Sequence, residues 1–279
     1  IVNKGAVGTG LSCGIDSFST IVEHLNNDNC PPEYQITHFT FFNVGSHGDF
    51  GGEESRKLFK ERAAATKSFA DAVKKEFILI DSNISDILQL PYEQTHTLRS
   101  MSAVLVLQKL FHAYYYSSAV HLKDFKVSKS SMGYYDMFTL KMLSTENIEL
   151  FSSCATKTRV QKTQMVANYE PSHKFLNVCV SGTNNCGKCF KCLRTLLTLE
   201  ILGDLDKFKS IFNLDGYASN RNNYIAYVIS VKDADPFAEE IYNEMIKRNF
   251  DIPQYSKIRA IALKAKNNFK LRKSLANHH

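Results

Sequence analysis

Four short apolar runs, each followed by a stretch long enough for a helix, constrain the fold of this chain more than any other feature. They lie at 5–11 (GAVGTGL), 36–42 (ITHFTFF), 76–83 (EFILIDSN) and 148–153 (IELFSS). β-Branched and aromatic side chains suit a pleated, half-buried surface, and apolar runs of this length between turn signals read as buried strands. Helices are expected at 16–26, 53–75, 100–116 and 159–169. The second of these opens after Gly51-Gly52 with Glu53 and Glu54 in its first turn, which suits the helix dipole. The third takes in the run Tyr114-Tyr115-Tyr116 as helix packing. Alternating strands and helices produce parallel strands with right-handed crossovers. The expected class is therefore α/β, a doubly wound, mainly parallel sheet between two helix layers. Ligands of such sheets bind beyond the carboxyl ends of the strands.

From Leu193 onward the pattern turns helical, with amphipathic stretches at 194–212, 236–250 and 256–269. In the last, Ile258, Ile261, Ala262, Ala265 and Phe269 recur at helical spacing beneath a basic surface. A chain of 279 residues accommodates one large domain with an appendage. The expected division is 1–195, including the cysteine stretch described next, and 196–279 as a helical extension. Net charge is +6, but residues 256–279 carry seven Lys or Arg and no acid. A nucleic-acid partner would rest on that tail alone, and the tail reads better as a solvated helix face. No apolar stretch is long enough to cross a bilayer, so no membrane partner is expected. The terminal pair His278-His279 is set aside from functional reading.

Four of the seven cysteines fall between 179 and 192, in NVCVSGTNNCGKCFKCLRT. Cys179, Cys186, Cys189 and Cys192 follow the pattern C-x6-C-x2-C-x2-C, which can close a tetrahedral thiolate shell around zinc. Lys188, Lys191 and Arg194 stand by to offset the thiolate charge. A four-cysteine shell also suits an iron–sulfur cluster, and spacing alone leaves both open. Four thiolates leave no open coordination position, so the expected role is structural. One metal site among otherwise scattered thiols points to a reducing, cytoplasmic setting.

The stretch GLSCGIDSFST (10–20) joins the first strand to the first helix. Gly10, Ser12, Gly14 and Ser17 bring backbone N–H groups and hydroxyls to a helix N-terminus, a combination that favours an anion such as phosphate. The spacing is not that of a Walker A loop, and a turn capped by Ser and Asp is the plainer alternative. Asn43, His47 and Asp49 follow the second strand at the same edge of the sheet. Asn43 is a candidate ligand contact, and His47 a loop histidine with no identifiable partner.

Ser12-Cys13-Gly14-Ile15-Asp16-Ser17 resembles the Ser-Gly-Gly-x-Asp-Ser signature of the PP-loop ATP pyrophosphatases, with Cys13 in place of a glycine. Loop and cysteines together resemble the 7-cyano-7-deazaguanine synthase branch, over residues 5 to about 200. HTLRS (96–100) is similar to that branch's Arg-Asn motif, with Ser100 for Asn. GYYD (133–136) stands where the branch has Tyr-Pro-Asp, and TRVQKTQMV matches a lysine-containing helix start. The resemblance implies an adenine nucleotide alpha hydrolase-like fold and the cofactors ATP, Mg²⁺ and Zn²⁺. It implies cleavage of ATP between the α and β phosphates, adenylylation of a carboxylate or carbonyl oxygen, and displacement of AMP by a nucleophile. Gly10, Ser12, Gly14, Asp16, Ser17 and Asn43 would hold the nucleotide. Asp16, Lys162 and Arg99 would carry the catalysis. The acceptor would be a small molecule, a deazapurine or other carboxylate, lying near Arg99 with Tyr134, Tyr135 and Asp136 around it. A homodimer is compatible with this reading. The alternatives are a PP-loop enzyme that thiolates a tRNA base and an ATP-binding protein without turnover.

Overall fold

The computed structural model describes residues 3–180 and 182–276, the last ten of them as backbone only. Phe269 and the basic side chains of Lys270, Arg272 and Lys273, like His278-His279, lie outside the described residues. The chain divides into two compact units, 1–177 and 178–279. The break expected near 195 thus falls before the cysteines, which belong to the second unit.

The first unit runs β1 (Ala6–Gly10), α1 (Ile15–His24), β2 (His38–Asn43), α2 (Glu53–Ala72), β3 (Glu76–Asp81), α3 (Ile84–Leu88), α4 (Tyr92–Val106), β4 (Phe111–Ser117), α5 (Asp136–Leu143), β5 (Glu149–Ser153), α6 (Arg159–Ala167) and α7 (Ser172–Phe175). All five strands are parallel, in the order β3-β2-β1-β4-β5. The fold is α/β with a sheet covered on both faces, consistent with a doubly wound architecture.

One expected helix is corrected. The segment 100–116 does not continue as a helix: α4 ends at Val106 and residues 111–117 form β4. Phe-His-Ala-Tyr-Tyr-Tyr suits a pleated surface, and β1 needs a partner on its second edge. Thr9 pairs with Tyr115 and Gly8 with Tyr114. The tyrosines accordingly alternate between faces instead of lining a helix. Tyr114 bonds to the Thr40 hydroxyl at 2.6 Å, while the Tyr115 ring stacks on His24 at 3.7 Å.

Each face has its own core. On one face Ala6, Phe42, Phe111 and Leu150 pack with Met101 and Val104 of α4. Under α1 and α2 the packing is aromatic, with Phe69 edge-on to Phe18 at 5.0 Å and near Phe39 at 5.7 Å. β1 can sit in the middle because Gly8 has no side chain. A Cβ there would approach Tyr114 Cδ2 to 2.7 Å and the Phe111 ring to 2.9 Å.

The second unit holds α8 (Phe190–Leu202), α9 (Leu214–Val231), α10 (Pro236–Lys247) and α11 (Gln254–Ala276). α8 is apolar nearly all round and buried accordingly. The stripe expected on the last helix is corrected as well: Ile258 and Ile261 are exposed. Ser256 and Ala260 are the buried pair, and Ser256 Oγ donates to Asn222 O at 2.9 Å. Small residues there let α11 lie close against α9. Among the described residues no helix is long and apolar enough to cross a membrane.

Candidate functional site

Strand order places β1 between β2, which follows it, and β4, which the chain reaches only after turning back across the sheet. That reversal makes the carboxyl edge between β1 and β4 the topological switch point of the sheet, where ligands of open α/β sheets bind. The loop 11–14 stands at that edge. Ser17 Oγ donates to Gly10 O at 3.1 Å and accepts from Ser12 N–H at 3.3 Å, so this hydroxyl braces the turn. Cys13 has φ of 56°, the left-handed region that favours glycine. Its side chain is buried, and burial pushes the thiol up to about 12, with Thr66 as hydrogen-bond partner. Gly14 is the N-cap of α1, and no side chain caps that helix.

Below the loop, Asp16 in the first turn of α1 draws in two cations. Arg159 Nη2 lies 2.8 Å from Asp16 Oδ2, and Lys162 Nζ lies 3.5 Å from Oδ1. Lys162 also donates to Ser118 O, just past β4, at 2.6 Å. The Lys162 and Arg159 side chains are 1% and 7% exposed, against 26% for Asp16. Two nearly buried positive charges thus share one half-open negative charge at a helix N-terminus. The two cations and the helix dipole favour an anion there.

Expected Asp16 and Lys162 are therefore brought together with Gly10, Ser12, Gly14 and Ser17. Arg159 was not foreseen, although its place, directly after the cap Thr158 at the carboxyl edge of β5, was a usable signal. Arg99 and Asn43 are engaged elsewhere. Arg99, 1% exposed, donates to Asp49 O, Ser85 Oγ and Leu90 O, joining the loop after β2 to the α3–α4 junction. Asn43 Nδ2 donates to Asp81 Oδ1 at 2.8 Å, tying the ends of β2 and β3. His47 is buried against Phe41 and Phe59, and burial with nearby Arg62 pushes it down to about 4.

Asp136 opens α5 and is 3% exposed. Ser152 Oγ donates to its Oδ1 at 3.4 Å, while Oδ2 is buried with no hydrogen-bond partner. Burial pushes this carboxyl up to about 6, against the pull of the Met137 N–H, Ser152 and Lys162. Tyr116 stands near it, with its hydroxyl 2.7 Å from His96 Nδ1. His96 and Tyr116 were not anticipated as a polar pair.

In the second unit the Sγ atoms of Cys179, Cys186, Cys189 and Cys192 all lie within 4.8 Å of one another. The Cys186–Cys192 and Cys179–Cys189 pairs are each 4.0 Å apart. A tetrahedral ion with metal–sulfur bonds of about 2.3 Å has edges of about 3.8 Å, so the four thiols fit a metal such as zinc. Burial would raise the Cys186 thiol, but hydrogen bonds from the Lys188 and Cys189 N–H groups and from the Cys179 and Cys189 side chains together bring it down to about 6. Burial raises Cys192 instead. Arg194 lies over the Phe237 ring at 4.4 Å. Neither known protein-family models nor the sequences of curated proteins give a significant match to this chain.

Proposed function

We propose that the chain is a PP-loop-type, AMP-forming enzyme. It would cleave ATP between the α and β phosphates and pass AMP to a carboxylate or carbonyl oxygen, from which a nucleophile displaces it. The observation that carries this reading is the convergence of Arg159 and Lys162 on Asp16 beneath the loop 10–14. Pyrophosphate is a concentrated anion, and backbone N–H groups with two fixed cations suit it in ground state and transition state alike. Arg159, Lys162 and the head of α1 are the groups that would bind it. Mg²⁺, when bound, would neutralise phosphate oxygens.

Asp136 lies close enough to Lys162 and Asp16 to feel both charges, so an acceptor held by it would sit beside the nucleotide. That supports a planar acceptor with N–H donors, flanked by Tyr134 and Tyr135. In the second unit, thiols this close leave room for one ion and not for a multi-iron cluster, which favours zinc. Base thiolation is disfavoured because burial raises all three remaining thiols, Cys13 and Cys154 to about 12 and Cys30 in the same direction.

Incubation with Mg-ATP, 7-carboxy-7-deazaguanine and ammonium tests the reading. AMP, pyrophosphate and a nitrile or adenylate in the mass spectrum are expected. AMP and pyrophosphate with another acceptor would keep the ATP chemistry and discard the deazapurine. Release of ADP and orthophosphate would overturn the proposal.

A further inference from the structure

The cysteine segment and the start of α9 interlock backbone to backbone. Asn185 is buried beside the ligand Cys186 and ties three strands of chain. Its Oδ1 accepts from Val178 N–H at 2.9 Å, its Nδ2 donates to Ile211 O at 3.2 Å, and its carbonyl accepts from Asn213 N–H at 3.1 Å. Asn213 is in turn the N-cap of α9, its Oδ1 accepting from Gly216 N–H at 3.0 Å. Neither contact surface has room for a side chain. A Cβ on Gly187, whose φ is 71°, would collide with Asn213 O, and one on Gly216 would come within 2.7 Å of Cys186 O. The loop that places Cys179 and Cys186 is thus the surface on which the first turn of α9 is built.

We propose that metal occupancy of the four-cysteine site controls the order of α9 and, through it, of α11. Without an ion no metal–sulfur bonds hold the four sulfurs within 4.8 Å, and the cost of ordering the loop that gathers them is no longer offset. With the ion gone the loop opens and Asn185 leaves Asn213, so the N-cap residue of α9 loses the backbone anchor that positions it. A cap residue that is no longer held in place caps less well, and here the close backbone contacts at Gly187 and Gly216 go with it. α11 follows because its buried side is Ser256 and Ala260, with Ser256 bonded to Asn222 of α9. The ligands are expected from their chemistry; the transmission through Asn185 and Gly216 is particular to this chain.

Hydrogen exchange on the full chain, followed by mass spectrometry, tests this without any nucleotide. The zinc-loaded protein is compared with protein stripped by a chelator, with metal content verified by elemental analysis. Stripping is expected to speed exchange in the first two turns of α9 by about tenfold or more, with β1, β2 and β4 as an unchanged internal reference. Asn185→Ala is expected to loosen the same turns while one zinc remains bound. Loss of zinc from this variant would show the same coupling from the other side, since linkage is reciprocal. Unchanged α9 protection in metal-free protein would overturn the proposal. So would unchanged protection in zinc-bound Asn185→Ala, failure of the purified chain to take up zinc, or equal loss of protection in β1, β2 and β4.

Discussion

Asp16 faces two cations whose own exposure is far smaller than its own. Asp16→Asn keeps the shape and removes the carboxylate that pairs with both. Stripping one partner from a buried ion pair is costly, and the partial exposure of Asp16 brings the loss down to about 2 kcal/mol. The same change leaves more net positive charge under the loop, so pyrophosphate should bind severalfold tighter while ATP turnover falls. Urea denaturation and calorimetric titration with pyrophosphate measure the two effects. Arg159→Gln should do the opposite to pyrophosphate and weaken it. Asp136 answers to pH. Its carboxyl moves from 3.8 to about 6 on folding, so the folded state holds the proton more tightly. Below pH 4 both states are protonated and nothing is lost. As pH rises through 4 to 6 stability falls, and above that range the penalty is complete at about 3 kcal/mol. Asp136→Asn should therefore compare better with the parent protein at pH 8 than at pH 4, as read from urea midpoints. At this scale Asp16 and Lys162 were legible because a loop and a helix start announce themselves locally. The contacts of Arg99 were not legible, because a motif names a residue without saying which carbonyls its guanidinium will meet.

Elements tell a similar story with a different cause. β1, β2, β3, β5, α1, α2 and α6 were visible as apolar runs and capped, periodic stretches within a few residues of their true ends. β4 was not, because Ser102 to Leu110 reads as helix and the tyrosines after it satisfy either period. What decided it was tertiary: the free edge of β1 takes Phe111–Ser117 as its partner. That pairing depends on Gly8, against which the Tyr114 and Phe111 rings lie. Gly8→Ala should cost about 1–3 kcal/mol by overpacking, and Gly8→Val more. Chemical denaturation followed by far-ultraviolet circular dichroism measures it, and a neutral result would mean the rings can swing aside. α11 was misread for a related reason. Its large apolar residues suggested a buried face, whereas the close approach to α9 is made by Ser256 and Ala260. Small residues carry little hydrophobic signal and decide many helix contacts.

For the molecule as a whole, the α/β class and the clustering of four cysteines could be read from the chain. Cysteine spacing says which residues can share an ion, but only backbone contacts such as Asn213 with Asn185 say which helices the loop belongs to. The strand order also has a kinetic consequence. β1 pairs with β2 about thirty residues downstream but with β4 only after about a hundred, as in Gly8 with His38 and Tyr114. During synthesis the central strand therefore emerges first and waits, one edge open, while two crossovers are made on the other side. The switch point does not exist until β4 docks. Its loop-closure entropy is spent late, and folding should be slow for a chain of this size. Until then the Gly8 edge is an unpaired apolar strand that any passing extended segment can template, so the same reversal that builds the site makes the nascent chain a natural client for chaperones.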